Sequence, residues 1–251
     1  MRILLLAGPF VTPVGSDTAA RASNRHDMTA QGPSEGIARG ELTVERLTKA
    51  ADLEKKLSQS VQNLSAKLLD LAASLWRTLK ERPEVTQAIA GDPFTSEVKA
   101  DATTAELLIL LLHACDRVAS TTFAVALPAQ AASGLRSSFM ARLVGSAVAT
   151  FAHTACPDED AEEQEETQAD LLHLYNTRAL QYGFFPLGSA DTAENEALFK
   201  LAGIRLAEAL ECPDNAEVIS RGVEIVMTSL VTLREQLLLP ETFGQMIAAV
   251  Q

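Results

Sequence analysis

Residues 104–123 read TAELLILLLHACDRVASTTF. Six consecutive large aliphatics, Leu107 to Leu112, are followed closely by His113, Asp116 and Arg117. At about 100° per residue, six helical positions sweep more than one full turn, so such a helix has no side it can turn to water without exposing leucine. The stretch predicts a buried central helix over about 104–123, and the neighbouring segments must wrap it.

The rest of the 251-residue chain agrees with a helical fold. Aromatic residues make up 5% of it, while Leu and Ala dominate, and both are strong helix formers. Windows that alternate apolar and polar residues with period two are few, so strands have little support. The expected architecture is a single all-α bundle of six to seven helices over 41–251, preceded by a disordered N-terminal tail over 1–40.

That tail begins MRILLLAGPFVTPV and continues as a small, polar, aperiodic stretch. Arg2, the apolar run to Val11 and the alanines near Ala19–Ala22 loosely fit a signal segment, which would mean export. Two other readings are a start at Met28, with the first 27 residues an over-called extension, or a plain flexible tail. A phosphate-binding loop is excluded, because Gly8 and Gly15 do not form GxGxxG. Without export, the expected location is the cytoplasm. Three cysteines without a CxxC, Cys115, Cys156 and Cys212, suit a reducing compartment. No uninterrupted apolar run reaches the roughly 18 residues that a membrane span needs, so no membrane partner is expected.

Charge divides the chain. Residues 1–82 carry 12 basic and 9 acidic side chains; residues 83–251 carry 9 and 24. The net charge of −12 disfavours binding to a phosphate backbone, so no nucleic-acid partner is expected. Seven acids lie in DEDAEEQEE, Asp158–Glu166, at the start of a predicted helix, where the macrodipole favours them. They also offer a surface for a basic partner. They do not form an EF-hand loop, whose sixth position would be Glu163 instead of Gly.

A second candidate surface lies in the first long helix, over 41–82. Leu57, Val61, Leu64, Leu68, Leu71 and Leu75 recur at spacings of 4, 3, 4, 3 and 4, a 3.5-residue seam. It suits packing within the bundle, or a protein partner or second copy of the chain. Pro83 closes this helix. Thr103 with Glu106 forms a capping-box pattern at the expected start of the central helix. Later helices are expected over about 129–154, with Gly134 and Gly145 permitting close approach, then up to Gly183 as a left-handed stop. Further helices follow Asp191 or Thr192, over about 215–239, and from Pro240.

Chemistry has one candidate centre. His113 and Asp116 stand three apart on the central helix, and Asp170 and His173 stand three apart on a later one. That spacing places each pair on one helix face, so facing helices could present two imidazoles and two carboxylates to a divalent metal. The alternative is a polar brace, in which Arg178 neutralises Asp116 while His113 and Tyr182 complete the hydrogen bonding. The same residues could floor a small-molecule pocket. His153 and Cys156 form at most half a zinc site. GxSxG and P-loop patterns are absent. The first functional expectation is thus a non-catalytic interaction or adaptor module without a cofactor. The alternative is a helical bundle with a small-molecule or metal site at His113, Asp116, Asp170, His173 and Arg178.

Overall fold

The computed structural model describes residues 34–91, 93–155, 157, 160–183, 192–236 and 239–250. Among them are eight helices and no strand: α1 (Ser34–Lys80), α2 (Pro83–Ala88), α3 (Pro93–Ala126), α4 (Ala129–Ala155), α5 (Ala161–Tyr182), α6 (Thr192–Ala209), α7 (Ala216–Gln236) and α8 (Leu239–Val250). The fold is the all-α bundle that the sequence predicts. Residues 1–33 lie outside the described residues, and α1 begins seven residues before the expected boundary at 41.

The central helix is α3. It packs against α1, α4, α5, α6, α7 and α8. Leu107 to Leu112 are each between 0% and 5% exposed, although together they face every direction around the axis. Burying six such side chains contributes roughly 9–18 kcal/mol as an upper estimate, comparable with the whole net stability of a typical domain. By length and composition α3 could also cross a membrane; here it is the rod around which the bundle is built.

Its start differs from the expectation. Pro93 occupies the first helical turn, where the missing N–H costs nothing, and α3 is therefore about ten residues longer at that end. Thr103 caps nothing. It is buried inside the helix and donates its hydroxyl hydrogen to the Lys99 carbonyl, 2.7 Å away. Glu106 is free to be used elsewhere.

The α1 seam faces inward. Leu57, Val61, Leu64, Leu68 and Leu75 are all at most 5% exposed, and Leu71 is partly buried. They pack in the same core as α3 and α4, so the seam expected as a possible partner or dimer surface is already occupied by the chain itself. An exposed ion pair between Glu54 and Arg142 ties α1 to α4. On α4, Leu135, Phe139, Leu143, Ala147 and Phe151 are buried as their four-residue spacing predicts. The end of the core is closed by α8, whose Phe243 meets Phe123 and Phe139 edge-on at centroid distances of 5.2 and 5.4 Å.

Close backbone approach occurs elsewhere than expected. Gly134 and Gly145 on α4 have open space where a Cβ would be. The tight crossing joins α6 and α7. A Cβ on Gly203 would lie 2.7 Å from the Ile219 carbonyl oxygen and 2.9 Å from Val223 Cγ2, and one on Gly222 would lie 3.0 Å from the Gly203 Cα. The two glycines let the helix backbones touch.

Helix ends follow local chemistry. Asp160 caps α5 by accepting from the Glu162 and Glu163 amides, both at 3.0 Å, and Asn215 caps α7 by accepting from Glu217 and Val218. Gly183 ends α5 in a right-handed conformation (φ −58°), not the expected left-handed one. The left-handed stop belongs to Glu211 (φ 59°), after α6. There the Cys212 amide donates to the Ala207 carbonyl and the Glu211 amide to the Glu208 carbonyl, both at 2.9 Å, closing a Schellman turn. Glu211 also pairs with Lys99 at 3.3 Å, which partly offsets the strain of a side chain at positive φ.

Two substitutions test this account by chemical denaturation. Gly203→Ala forces the α6–α7 backbones apart and is expected to cost about 1–3 kcal/mol, with Gly134→Ala as a neutral or stabilising control. Glu211→Gly relieves the left-handed strain and is expected to raise stability by about 0.5–1 kcal/mol after loss of the Lys99 pair, whose Glu211 side chain is exposed.

Candidate functional site

The polar residues of α3 meet the inner face of α5. That face is set by Leu171, Tyr175, Arg178 and Tyr182, spaced 4, 3 and 4 along the helix. Only Thr167, Leu171 and Tyr182 of α5 are fully buried, so little apolar surface holds this helix down. The helix packs more extensively on α4 than on α3, and to α3 it adds polar contacts.

The deepest is an ion pair. Arg178 donates through Nε and Nη2 to the carboxylate of Glu106, with Nε at 2.9 Å from Oε1, and its Nη1 reaches Gln181 at 3.2 Å. The two side chains are 11% and 6% exposed. Burial pushes the Glu106 carboxyl upward against the pull of Arg178. Arg178 is therefore a neutralising residue, as expected, but of a different carboxylate. Asp116 lies beyond it and takes Arg136 of α4, in a bidentate contact at 2.7 and 2.6 Å. The expected Asp116–Arg178 pair is replaced by two separate pairs. Arg136 escaped the sequence reading because Gly134-Leu135-Arg136 was read only for its apolar positions. The detectable signal was its place one residue after Leu135, beside the buried stripe.

Between these pairs sits His113, 8% exposed. Its ring stacks on Tyr175 at a centroid distance of 4.5 Å and an interplanar angle of 2°, and meets Tyr182 edge-on at 5.4 Å. Nε2 lies 3.3 Å from the Tyr175 carbonyl oxygen. A carbonyl only accepts, so Nε2 carries the hydrogen of the neutral ring. Burial drives the His113 pKa down to about 4. Burial also raises the Tyr175 hydroxyl to about 12 and pushes Tyr182 higher still. Arg117 Nη2 donates to the Tyr182 carbonyl at 2.6 Å. A cation thereby satisfies an end carbonyl of α5, where the helix dipole is negative.

The other expected pair turns away. His173 is two residues from Tyr175, about 200° around the helix, and is exposed; Asp170 is only half-buried. Their three-residue spacing does put them on one side of α5, but it is not the side that meets α3. The cluster that the sequence suggested thus joins His113, Asp116 and Tyr182, with Arg178 nearby, and leaves out Asp170 and His173. Among the described residues no three His, Cys, Asp or Glu side chains gather closely enough to share a metal ion. His153 is exposed, and Cys156 lies outside the described residues.

A small cleft opens beside His113, lined by Leu110, Ala114, Arg117, Tyr182, Leu198 and Leu230. Its cavity volume is about 10 Å³, near the minimum for a single water. The rings of His113 and Tyr182 form part of its wall, and the space is smaller than a small molecule would need. Cys115 points into the core, fully buried, and burial raises its thiol well above the ordinary range, the reverse of an activated nucleophile.

Fold and site together define a helical bundle whose central helix is braced to one flanking helix by buried polar groups. Compared with protein-family models, curated proteins and solved structures, the chain matches none.

Removing one member of the buried pair leaves the other charged and unpartnered. Arg178→Met alone is expected to cost about 3–5 kcal/mol, whereas Arg178→Met with Glu106→Leu should recover most of that loss. Urea unfolding of the two variants measures both. Equal instability of single and double variants would show that the pair does not act as a unit.

Proposed function

We propose that the protein is a non-catalytic interaction module whose contact surface is the outer face of α5. The observation that carries this reading is the pattern along that face. Glu162, Glu166, Ala169, His173, Asn176 and Leu180 recur at spacings of 4, 3, 4, 3 and 4, and all are exposed. Glu165 and Leu172 flank them, also exposed. The face is acidic at its start, polar at His173 and Asn176, and ends on Leu180, which is 74% exposed, with Leu172 at its flank 38% exposed. None of these three glutamates forms an ion pair among the described residues, unlike Glu54, Glu84, Glu106 and Glu208.

A fitting partner is an amphipathic helix with basic residues at one end and aliphatic residues at the other. The charges would speed encounter and set orientation, while the leucines would supply the affinity. Two further observations support a binding role over chemistry. The polar side chains at the α3–α5 seam are engaged with other protein groups, and the adjoining cleft has room for about one water.

A synthetic helix with lysines in its first turns and leucines in its last turns tests the surface. Binding read by titration calorimetry should weaken at least tenfold with Leu180→Asp, an exposed substitution that leaves the core untouched. Glu162→Lys with Glu166→Lys should weaken binding more in low salt than in high salt. Binding that follows salt alone and ignores Leu180→Asp would reduce the surface to nonspecific charge and overturn the proposal.

A further inference from the structure

We infer that α5 is an acid-releasable helix, latched to α3 by the neutral His113 imidazole held between Tyr175 and Tyr182. Three features of the geometry lead there. First, α5 packs only against α3 and α4 to any extent, whereas α1, α3 and α8 share the deep core. Second, its fully buried large side chains are just Leu171 and Tyr182. Third, the contact that fills the gap between these two is the imidazole stack, whose ring makes a single hydrogen bond among the described residues.

A second proton on that ring has no place to go. From α3, Asp116 faces His113, but both of its oxygens are engaged by Arg136 of α4. Arg117, also from α3, adds a positive charge nearby, and it already holds the end of α5. From α5 come the rings of Tyr175 and Tyr182, with Arg178 committed to Glu106. From α6 and α7 the neighbours at the cleft are Leu198 and Leu230, which carry no charge. An imidazolium here would lie between aromatic rings, aliphatic carbons and two guanidinium groups, with one carboxylate already shared. When α5 lifts away, the ring reaches water and takes its proton at the ordinary value.

The linkage has a definite direction. A histidine whose pKa is depressed in the closed state holds that state fully above its ordinary value and loses it as the pH falls towards the depressed one. With about 4 closed and 6.5 open, the closed-to-open balance shifts about twentyfold towards open between pH 7 and pH 5. Glu106 acts in the opposite sense, because burial raises its carboxyl and acid then favours its buried neutral form. The imidazole is thus the group that makes opening acid-driven. Opening detaches the helix that carries the proposed contact face while the α1–α3–α4–α8 core remains closed.

Hydrogen exchange on the full chain reads this directly, after correction for the intrinsic pH dependence of amide exchange. Protection of α5 amides is expected to fall by up to about twentyfold from pH 7 to pH 5, since Glu106 opposes part of the shift, and to stay well below that of the Leu107–Leu112 amides, which exchange only when the core itself opens. Equal protection of the two segments at pH 5, or a flat α5, overturns the inference. His113→Gln keeps a donor for the Tyr175 carbonyl and cannot titrate, so its α5 protection should no longer fall with acid; an unchanged slope overturns the inference. The ring proton signals of wild-type His113 give a measurement that needs no variant. An apparent midpoint below 5 is expected, and one near 6.5 with α5 still protected at pH 5 overturns it.

Discussion

Everything in this bundle follows from the burial of one helix that is apolar on all sides. A half-apolar helix can be satisfied by one neighbour. Leu107–Leu112 cannot, because consecutive positions point in different directions and each needs its own cover. Six other helices therefore meet α3. The amphipathic seam of α1, the four-residue stripe of α4 and the aromatic plug from α8 are three separate answers to the same demand. Each offers one apolar side and keeps the other for water.

The same demand creates the polar problem. A helix covered on most sides leaves little exposed flank for its ionisable residues, and α3 carries Glu106 and His113 buried and Asp116 and Arg117 half-buried. Each needs a partner that arrives with the covering helices. Arg178 comes with α5 and Arg136 with α4, while Arg117 serves α5 by holding its last carbonyl. His113 is left uncharged and stacked. Groups that would destabilise an oily core thus determine how α5 is placed. That helix depends on polar fit much more than its neighbours do, which is what makes it separable from them.

The sequence made the bundle legible wherever one local pattern was enough. The run at Leu107–Leu112, the seam of α1 and the stripe of α4 all emerged at their positions, because periodicity reports burial directly. Partnerships were less visible. That Asp116 needs a cation could be read from its place in the core, but Arg136 and Arg178 were both available, and only the angle between helices decides which one reaches it. The capping pattern at Thr103 and Glu106 misled for a related reason. Such a pattern also fits inside a longer helix, and the real start signal was Pro93. The glycine crossing was invisible because a helical glycine looks alike whether it faces water, as Gly134 does, or another backbone, as Gly203 does. Asp170 and His173 show the limit of spacing arguments: sharing a face does not say which way that face looks.

The aromatic plug bears on the order in which the chain becomes competent to fold. Phe123 and Phe139 wait for a ring that lies more than a hundred residues downstream, on α8. Contacts of such long sequence separation form late and slow the search. During synthesis α1, α3 and α4 emerge before the ring of Phe243 that covers that end of their core. Between the synthesis of Phe139 and that of Phe243 these helices therefore carry an open greasy socket.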